Sequence, residues 1–180
     1  GQYSDVRLSN MHFVNNNAIN DNSGGGLYLS DCQADMINLT FIDNYAVGRG
    51  GGLYLRHCDL ALGNSLFYDN RANFYAGAAA LYLGTHVVTN TLFINNWSQY
   101  EGGAVYNSSS DSTFINTTFY RNASSGVKNG GLFVTSSPNL TVANSIFWEN
   151  ENVFGLSRQA QLDISAGGQG NIHHTLLQNL

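Results

Sequence analysis

Two aspartates, Asp43 and Asp69, are the residues whose type and spacing best suit acid–base chemistry in this sequence. They lie 26 residues apart, and each directly precedes an asparagine of a recurrent motif. Facing carboxylates can act as general acid and base in glycoside cleavage, or can hold Ca²⁺. The equivalent position is not acidic in every copy of the motif, because its occupants in order are Asn15, Asp43, Asp69, Asn95, Arg121 and Glu149. Such a column is more typical of solvated surface residues than of a catalytic site.

A second group of titratable residues follows the Leu-Tyr-Leu segments. Asp31 and His57 are 26 residues apart, and Asp59 and His86 lie nearby in the repeat. Histidine and aspartate together can bind a metal or relay a proton, but the spacing lacks an H-x-x-x-H type of pattern. We therefore assign these residues to exposed turns, and we predict neither a metal site nor a cofactor.

These residues are positioned by a sequence motif that is repeated along the whole chain. The motif N-x-x-F-x-x-N occurs six times, and a degenerate seventh copy is His173…Leu176…Asn179. The central residues lie 28, 26, 26, 26, 28 and 29 positions apart, a period that indicates a solenoid. The central phenylalanines are Phe13, Phe41, Phe67, Phe93, Phe119 and Phe147. The second asparagines of the motif are Asn16, Asn44, Asn70, Asn96, Asn122 and Asn150.

Each repeat contains three short apolar runs separated by Asn-containing or Gly-containing bends. A triplet of glycines precedes Leu-Tyr-Leu in 24–29 and 50–55, and a triplet of alanines precedes it in 78–83. Runs of four to six residues rich in β-branched and aromatic side chains predict strands, and nothing between them is long enough for a helix. The sequence therefore predicts an all-β fold, namely a parallel β-helix of about six to seven three-strand coils that forms a single domain over residues 1–180.

Stacking of coils at about 4.8 Å assigns a role to each column of equivalent residues. The central phenylalanines are expected to stack inside the solenoid, where they bury a large area. The second asparagines are expected to end the strands, to adopt the left-handed bend and to bond along the stack, donor to acceptor. The glycine triplets mark a second corner, at which the backbone passes close to the neighbouring coil.

Two outward columns are unusually apolar. If the central phenylalanines point inward, the residue after each of them points outward, and these residues are Val14, Ile42, Tyr68, Ile94, Tyr120, Trp148 and Leu177. A second column comprises Tyr28, Tyr54, Tyr82, Tyr106 and Phe133. Exposed apolar stripes mark an interface or a platform on which sugars stack. The alternative is that these rings belong to the core or lie under a loop.

Covalent chemistry is suggested at two cysteines and two asparagines. Cys32 and Cys58 are 26 residues apart and occupy one column of adjacent coils, at a spacing that a disulfide accepts. Two inward-facing free thiols are the alternative. Among the Asn-x-Ser/Thr sequons, Asn107 and Asn139 lie in Ser-rich or Pro-flanked turns and are the candidate glycan acceptors.

Composition excludes several classes of function. Charged residues make up only 11% of the chain, and 24 Asn and 20 Gly supply much of the polar surface instead. A net charge of −5 with seven basic residues offers no electrostatic footprint for nucleic acid or for an anionic membrane. No run approaches the ~18 apolar residues of a membrane span. Because the sequence opens at Gly1 inside a repeat, we interpret it as a mature or excised segment.

The alternation of F-x-x-N with G-G-[AL]-[IVL]-Y resembles the repeats of chlamydial polymorphic outer membrane proteins. It also resembles related bacterial passenger and adhesin-like proteins of the pectin-lyase-like superfamily, and the stretch from Gln161 to Asn179 looks like the final coil of secreted choice-of-anchor β-helix proteins. The resemblance implies a right-handed parallel β-helix and an extracellular or cell-surface location. It carries over no catalytic residues, because the shared positions are structural.

We expect a structural or adhesive module instead of an enzyme, with other copies of itself or a surface protein or glycan as partners. No cap is evident at either end of the repeats, so open strand edges or the apolar columns are expected to support filament formation. The alternative is a polysaccharide lyase, a glycosidase or a carbohydrate-binding module of the same superfamily. Connections of only about five to ten residues between coils disfavour an enzyme, since long insertions usually wall the cleft of a β-helix enzyme.

Overall fold

The structure is a computed structural model that describes residues 4–20, 22–127, 129–165 and 167–178. Its strands form three sheets, and successive coils of the chain contribute one segment to each sheet. All pairings are parallel except one at the end of the third sheet. The prediction of an all-β parallel β-helix is confirmed, and Asn179 of the degenerate last repeat lies outside the described residues.

The first sheet contains the longest strands. Four of them have 11 residues each and pair in register over nearly their whole length. Further along, the long strand is interrupted and continues as two short ones. The nine strands are β1 (Ser4–Ser9), β4 (Leu27–Ile37), β7 (Leu53–Gly63), β10 (Ala79–Thr89), β13 (Val105–Ile115), β16 (Leu132–Thr135), β17 (Leu140–Ala143), β21 (Leu162–Ser165) and β22 (Gly170–His173).

The second and third sheets are narrow and have seven strands each. The second comprises β2 (His12–Val14), β5 (Thr40–Ile42), β8 (Leu66–Tyr68), β11 (Leu92–Ile94), β14 (Thr118–Tyr120), β18 (Ile146–Trp148) and β23 (Leu176–Leu177). The third comprises β3 (Asn17–Ala18), β6 (Tyr45–Ala46), β9 (Arg71–Ala72), β12 (Trp97–Ser98), β15 (Ala123–Ser124), β19 (Glu151–Asn152) and β20 (Gly155–Leu156). One short helix, α1 (Arg158–Gln161), follows β20.

Residues in the left-handed conformation turn the backbone on both sides of the second sheet. The first asparagine of each motif does so at φ between 48° and 56°, and these residues are Asn10, Asn38, Asn64, Asn90, Asn116 and Asn144. The second bend is made by Asn15, Asp43, Asp69, Asn95, Arg121 and Glu149, at φ between 52° and 55°. The prediction that the second asparagines of the motif adopt this bend is wrong. The residue before each of them bends instead, because this turn directs the asparagine side chain into the interior.

A stack of phenylalanine rings fills the interior beneath the second sheet. The six rings lie nearly parallel, with centroids of neighbours 4.4 to 5.1 Å apart. Five of them are at most 1% exposed, and the ring of Phe13 in the first coil is half-buried. Full burial of such a side chain contributes about 2–3 kcal/mol, so this column is a major source of stability.

The second asparagines form a hydrogen-bonded ladder along the solenoid. Asn70 shows the pattern: its backbone N and its Nδ2 both donate to Asn96 Oδ1, at 3.0 Å each. Its Nδ2 also donates to the carbonyl oxygen of Phe41 at 2.9 Å. The same bonds recur from coil to coil, and the ladder asparagines from Asn44 onward are at most 1% exposed. The predicted asparagine ladder is therefore confirmed.

The glycine corner brings the backbones of adjacent coils close together. A Cβ on Gly51 would lie 2.3 Å from the carbonyl oxygen of Arg71 and 2.5 Å from that of Gly77. Glycine is therefore required by space at this column, as the sequence predicts. The corner of the third coil lies at residues 76–78, where Gly77 occupies the close approach.

Two repeats are displaced from the alignment that the sequence suggests. In the third coil, Tyr54 pairs with Ala80, and Tyr82 lies two positions further along the strand. In the last coil, Phe147 pairs with Leu177, so Leu177 packs against the core and Leu176 is 52% exposed. The predictions that Tyr82 belongs to the tyrosine column and that Leu177 points outward are therefore wrong.

The third sheet and the asparagine ladder both end at β20 and α1. Strand β20 pairs antiparallel with β19, unlike every other strand of the sheet. The side chain of Gln161 then takes the place of the next ladder residue: its Oε1 accepts from Asn150 N and Nδ2, and its Nε2 donates to the Asn150 carbonyl oxygen. The segment formed by β20 and α1 therefore caps the third sheet and the asparagine ladder. The sequence does not predict this cap.

Candidate interaction face

The outer surface of the second sheet is flat, regular and apolar. Alternation in three-residue strands directs the middle residue inward and the first and third residues outward. We call the outward residues the apolar face, and they are His12, Val14, Thr40, Ile42, Leu66, Tyr68, Leu92, Ile94, Thr118, Tyr120, Ile146, Trp148 and Leu176. Ten of these 13 are apolar or aromatic, although all are partly or fully exposed. Leu92 and Ile146 are 42% and 43% exposed, and Tyr68 and Trp148 are each 39% exposed.

Polar side chains border the apolar face on both sides. On one side the left-handed asparagines form an outer ladder, in which Asn90 Nδ2 donates to Asn64 Oδ1 at 3.1 Å and Asn116 Nδ2 donates to Asn90 Oδ1 at 3.0 Å. On the other side stands the column that begins at Asn15 and includes Asp43 and Asp69. A large apolar surface with a polar rim is typical of a binding site.

The charged border residues interact with the rings of the apolar face. Arg121 lies 4.9 Å from the ring centroid of Tyr120, and its Nε donates to Glu149 at 2.7 Å. This hydrogen bond holds the pKa of Glu149 below its ordinary value and raises the pKa of Arg121. The negative charge of Asp69 raises the pKa of the neighbouring Tyr68 hydroxyl.

The two aspartates considered for catalysis lie in this border. Asp43 is exposed and Asp69 half-exposed on adjacent coils, and the Asp69 carboxylate accepts a hydrogen bond from Asn95 Nδ2. Asp31 and His57 lie elsewhere, at left-handed bends of β4 and β7, with Oδ1 and Nδ1 3.8 Å apart. Within the described ranges, no three His, Cys, Asp or Glu side chains are arranged to hold a metal ion.

The tyrosine column at the other end of the coil is largely covered. Tyr28 is 47% exposed, but Tyr54 and Phe133 are buried, at 9% and 5%. Tyr82 reaches over the small Ala80, and its ring centroid lies 5.6 Å from that of Tyr54 and 5.4 Å from that of Tyr106. The alternative that these rings belong to the core therefore describes Tyr54 and Phe133, whereas Tyr82 and Tyr106 are half-buried.

Arg49 and three rings from the glycine corner complete this aromatic cluster. Its guanidinium carbon lies 5.6 Å from the ring centroids of both Tyr75 and Tyr82, a cation–π arrangement. Burial raises the pKa of Tyr82, and the Arg49 charge opposes that shift. Phe74 and Tyr100 border the cluster and are 43% and 42% exposed. A pocket of about 280 Å³ beside them is lined by Ser23, Gly48, Arg49 and Phe74.

A cluster of buried polar side chains lies beneath the first sheet. We call Asn107, Ser110, Ser112 and Ser137 the polar cluster. Asn107 Nδ2 donates to Ser137 Oγ at 2.8 Å, and Asn107 Oδ1 accepts from Ser112 Oγ at 2.8 Å. Because Asn107 is fully buried and its amide is bonded, the prediction of a glycan on this residue is wrong for the folded chain. Asn139 is exposed, and its glycosylation stays a prediction.

His86 lies in β10, in the column of Ser112, and is fully buried, so its assignment to an exposed turn is wrong. Neither ring nitrogen has a hydrogen-bond partner within the described residues. Burial lowers the pKa of His86 to about 4, although the charge of Asp59 opposes the shift. A Cβ on Gly84 would lie 2.1 Å from the carbonyl oxygen of Cys58 and 3.2 Å from His86 Cε1, so glycine is required there mainly by the neighbouring backbone.

Cys32 and Cys58 are joined by a disulfide in the structure. The two Cα atoms lie 4.6 Å apart at paired positions of β4 and β7, and both residues are at most 2% exposed. The bridge links two adjacent coils through the core, as the column of cysteines suggests.

The stacked parallel sheets and the interior ladders define a β-solenoid, a class of repeat protein in which each coil contacts only its neighbours. A family profile described as a right-handed β-helix region matches residues 5–174. The chain therefore belongs to this family of right-handed β-helices. Searches of curated proteins and of solved structures return no match. Among the described residues, no helix is long and apolar enough to cross a membrane.

Proposed function

We propose that the chain is an extracellular or cell-surface module that acts by binding, with the apolar face as its contact surface. The observation that carries this proposal is the size and continuity of that face. It offers exposed apolar side chains in every coil, from Val14 to Leu176, where solvent would favour polar residues. The disulfide between Cys32 and Cys58 supports an oxidising compartment, since disulfides are rare in reducing ones.

The repeat motifs also support this proposal through their resemblance to adhesin-like proteins of the pectin-lyase-like superfamily. Such proteins expose a long rod to other surfaces, and a rigid solenoid with one flat apolar side suits that role. End-to-end growth into a filament has less support, because antiparallel β20 and the Gln161 side chain close the third sheet and the asparagine ladder. Lateral contacts through the apolar face are the better supported route to assembly.

Attachment of protein-coated beads to defined surfaces tests the proposal. Glass coated with mucin, with polysaccharide or with a cultured epithelial monolayer serves as the target. We expect Ile94→Lys, in the middle of the face, to reduce attachment by about 10-fold or more, because it places a charge in the contact. Val87→Lys is the matched control, since Val87 is an aliphatic residue of the first sheet that is 40% exposed. Equal attachment by the two variants would contradict the proposal.

The enzyme alternative has a direct assay. Wild-type protein incubated with a panel of polysaccharides would release unsaturated or reducing ends if the chain were a lyase or a glycosidase. Product formation that disappears in the variant with both Asp43→Asn and Asp69→Asn would establish that alternative. The carboxylate of Asp69 already accepts a hydrogen bond from Asn95, so we expect no product.

A carbohydrate-binding role is the second candidate, and it is favoured by the aromatic cluster. Phe74 and Tyr100 present exposed rings next to Tyr75, which the guanidinium of Arg49 contacts, and a sugar ring can stack on such rings. Phe74→Ala combined with Tyr100→Ala should abolish binding on a glycan array, whereas Ile94→Lys should not affect it. Binding that survives the loss of both rings would exclude this site.

A further inference from the structure

We propose that the partner of the apolar face is a second copy of the chain, packed antiparallel about a two-fold axis. This inference rests on the proposed function, because it uses the same face, and it adds the identity and the register of the partner. The argument comes from the order of side chains along the face and along its charged border. When one copy is rotated by 180° about this axis, the side chains of the face and of its charged border lie opposite complementary side chains of the other copy.

The geometry follows from the repeat itself. We number the first six coils one to six by their central phenylalanines, from Phe13 to Phe147. The proposed axis lies in the plane of the interface, perpendicular to the solenoid, and passes midway between coils three and four. Each column then meets the same column of the second copy, and coils one, two and three face coils six, five and four. An isologous interface of this kind is the commonest arrangement in homodimers.

In this register large residues pack against small ones in the column formed by the third residue of each strand of the second sheet. Every aromatic residue of that column lies opposite an aliphatic residue of the second copy. The opposed pairs are Tyr68 with Ile94, Tyr120 with Ile42, and Trp148 with Val14. In the other column Leu66 lies opposite Leu92, and Thr40 opposite Thr118. Alternation of large and small side chains is what close packing across an interface requires.

The charged border is complementary in the same register. Asp43 lies opposite Arg121 of the second copy, and the symmetry makes this ion pair twice. Asp69 lies opposite Asn95, and Asn15 lies opposite Glu149, so no like charges meet. The side chain of Arg121 is available, since 61% of it is exposed while its Nε is bonded to Glu149.

The neighbouring registers lack this complementarity. A shift of one coil in one direction pairs Asp69 with Arg121, but it also places Asp43 opposite Glu149 and Tyr68 opposite Tyr120. A shift in the other direction places Asp69 opposite its own copy, close to the axis. Each shift therefore brings like charges together, which costs free energy at an interface. A parallel pair of solenoids would instead face the charged border with the outer asparagine ladder, and would form no ion pair.

The area of contact indicates an association of moderate strength. The face with its two borders is six residues wide and six coils long, or roughly 20 Å by 29 Å at the usual strand spacings. This is on the order of 580 Å² per copy, less than the ~800 Å² of a standard specific interface. We therefore expect a reversible dimer in the micromolar range.

Engineered cysteines test the register. Ile42→Cys with Tyr120→Cys should give a covalent dimer with a short bismaleimide crosslinker, because residues 42 and 120 face each other at the ~10 Å spacing of packed sheets, which is too wide for a direct disulfide. Within one chain they are three coils apart, roughly 14 Å. Val14→Cys with Trp148→Cys, at the edge of the interface, should give the same result. Ile42→Cys alone is the matched control and should remain uncrosslinked, because its two copies lie three coils apart along the interface, roughly 18 Å from each other.

Sedimentation velocity at increasing concentration provides the second measurement. The wild type and Val87→Lys should shift from monomer to dimer, and Ile94→Lys should weaken the association by about 10-fold or more. A wild type that stays monomeric and cysteine pairs that do not crosslink would overturn the inference. Crosslinking of Ile42→Cys alone as readily as of Ile42→Cys with Tyr120→Cys would overturn the register.

The two proposals fail in different experiments. Beads that attach to surfaces lacking this protein, combined with a monomeric wild type in solution, would leave the binding role in place and reject the second copy as partner. A dimer of the proposed register without bead attachment would retain the partner and reject adhesion to other surfaces.

Discussion

The asparagine ladder and the polar cluster bury similar side chains in opposite ways. In the ladder, every coil contributes the same residue, and each asparagine is satisfied by the coil before it and the coil after it. In the polar cluster, the residues change from coil to coil, and Asn107 is satisfied by two serines from different coils. His86, in the column of Ser112, finds no partner among the described residues.

The difference shows what repetition contributes to a solenoid. A repeated polar residue needs only one geometry to satisfy the hydrogen bonds of the whole column. A polar residue that occurs once must find partners specific to its coil, and an unsatisfied buried group reduces stability. We therefore expect substitutions in the ladder to be costly at every coil, and those at the irregular positions to depend on local partners.

The largest effect is expected for Asn96→Ala in the ladder. This change removes the bonds of Asn96 Oδ1 to Asn70 and those of Asn96 Nδ2 to Phe67 and Asn122. It also leaves the buried backbone N of Asn70 without an acceptor, so we expect a loss of about 5 kcal/mol in the free energy of unfolding. Denaturation by urea, followed by circular dichroism, measures this. A loss below 1 kcal/mol would show that the ladder is not a source of stability.

Removal of the disulfide should have the next largest effect. Cys32→Ala with Cys58→Ala opens a closed loop of 26 residues, which should lower the free energy of unfolding by about 3.5 kcal/mol. The same denaturation experiment on the wild type in the presence of a reductant is the control. Equal stability of the oxidised and reduced wild type would contradict this prediction.

The irregular region should make stability depend on pH. Above pH 6.5 His86 is neutral in both states, whereas between pH 6.5 and 4 only the unfolded chain binds a proton, since the pKa of His86 is lowered to about 4. Stability should therefore fall by about 3 kcal/mol as pH decreases through this range. His86→Leu, which matches Leu60 in its column, should remove this contribution, and His173→Gln at an exposed position should not.

The smallest effect is expected in the outer ladder, which is exposed. Asn90→Gly removes two hydrogen bonds that water can replace, and glycine retains the left-handed conformation at φ 48°. We expect a change of at most about 0.5 kcal/mol, compared with about 1 kcal/mol for Asn90→Ala, which strains the backbone. Destabilisation by Asn90→Gly as large as that of Asn96→Ala would remove the distinction between the inner and outer asparagines.

The sequence predicts the regular parts of the molecule and misses the exceptions. The phenylalanine and asparagine columns follow from a period that each coil repeats. The predicted position of Tyr82 is wrong because the triplet Ala78–Ala80 resembles the glycine triplets of the other repeats. The corner of this coil lies two residues earlier in the sequence and is formed around Gly77. The left-handed bend was placed one residue late, because asparagine is favoured both at bends and in buried ladders.

The candidate sites could be predicted only in part. Strand alternation predicts the column of the apolar face that runs from Val14 to Trp148. The same alternation also places Leu92 and Ile146 on this face, in a second column that the sequence analysis does not include. The polar cluster gave a weaker signal, because Ser and Asn in a strand resemble surface residues. Asn107 could have been placed in the interior from its column alone, which contains Leu55, Leu81 and Val134.

The hydrogen bonds between the asparagine side chains of the ladder all run in one direction, from the amide nitrogen of one coil to the amide oxygen of the next. The ladder therefore has a direction, and an added coil extends it without changing the hydrogen bonds between the other coils. Gln161 stops it by offering an acceptor from a longer side chain on a helix that cannot pass the bond onward. Because every coil repeats the same links, duplication or loss of a whole coil ahead of Gln161 would change the length of the ladder without requiring new hydrogen-bond geometry.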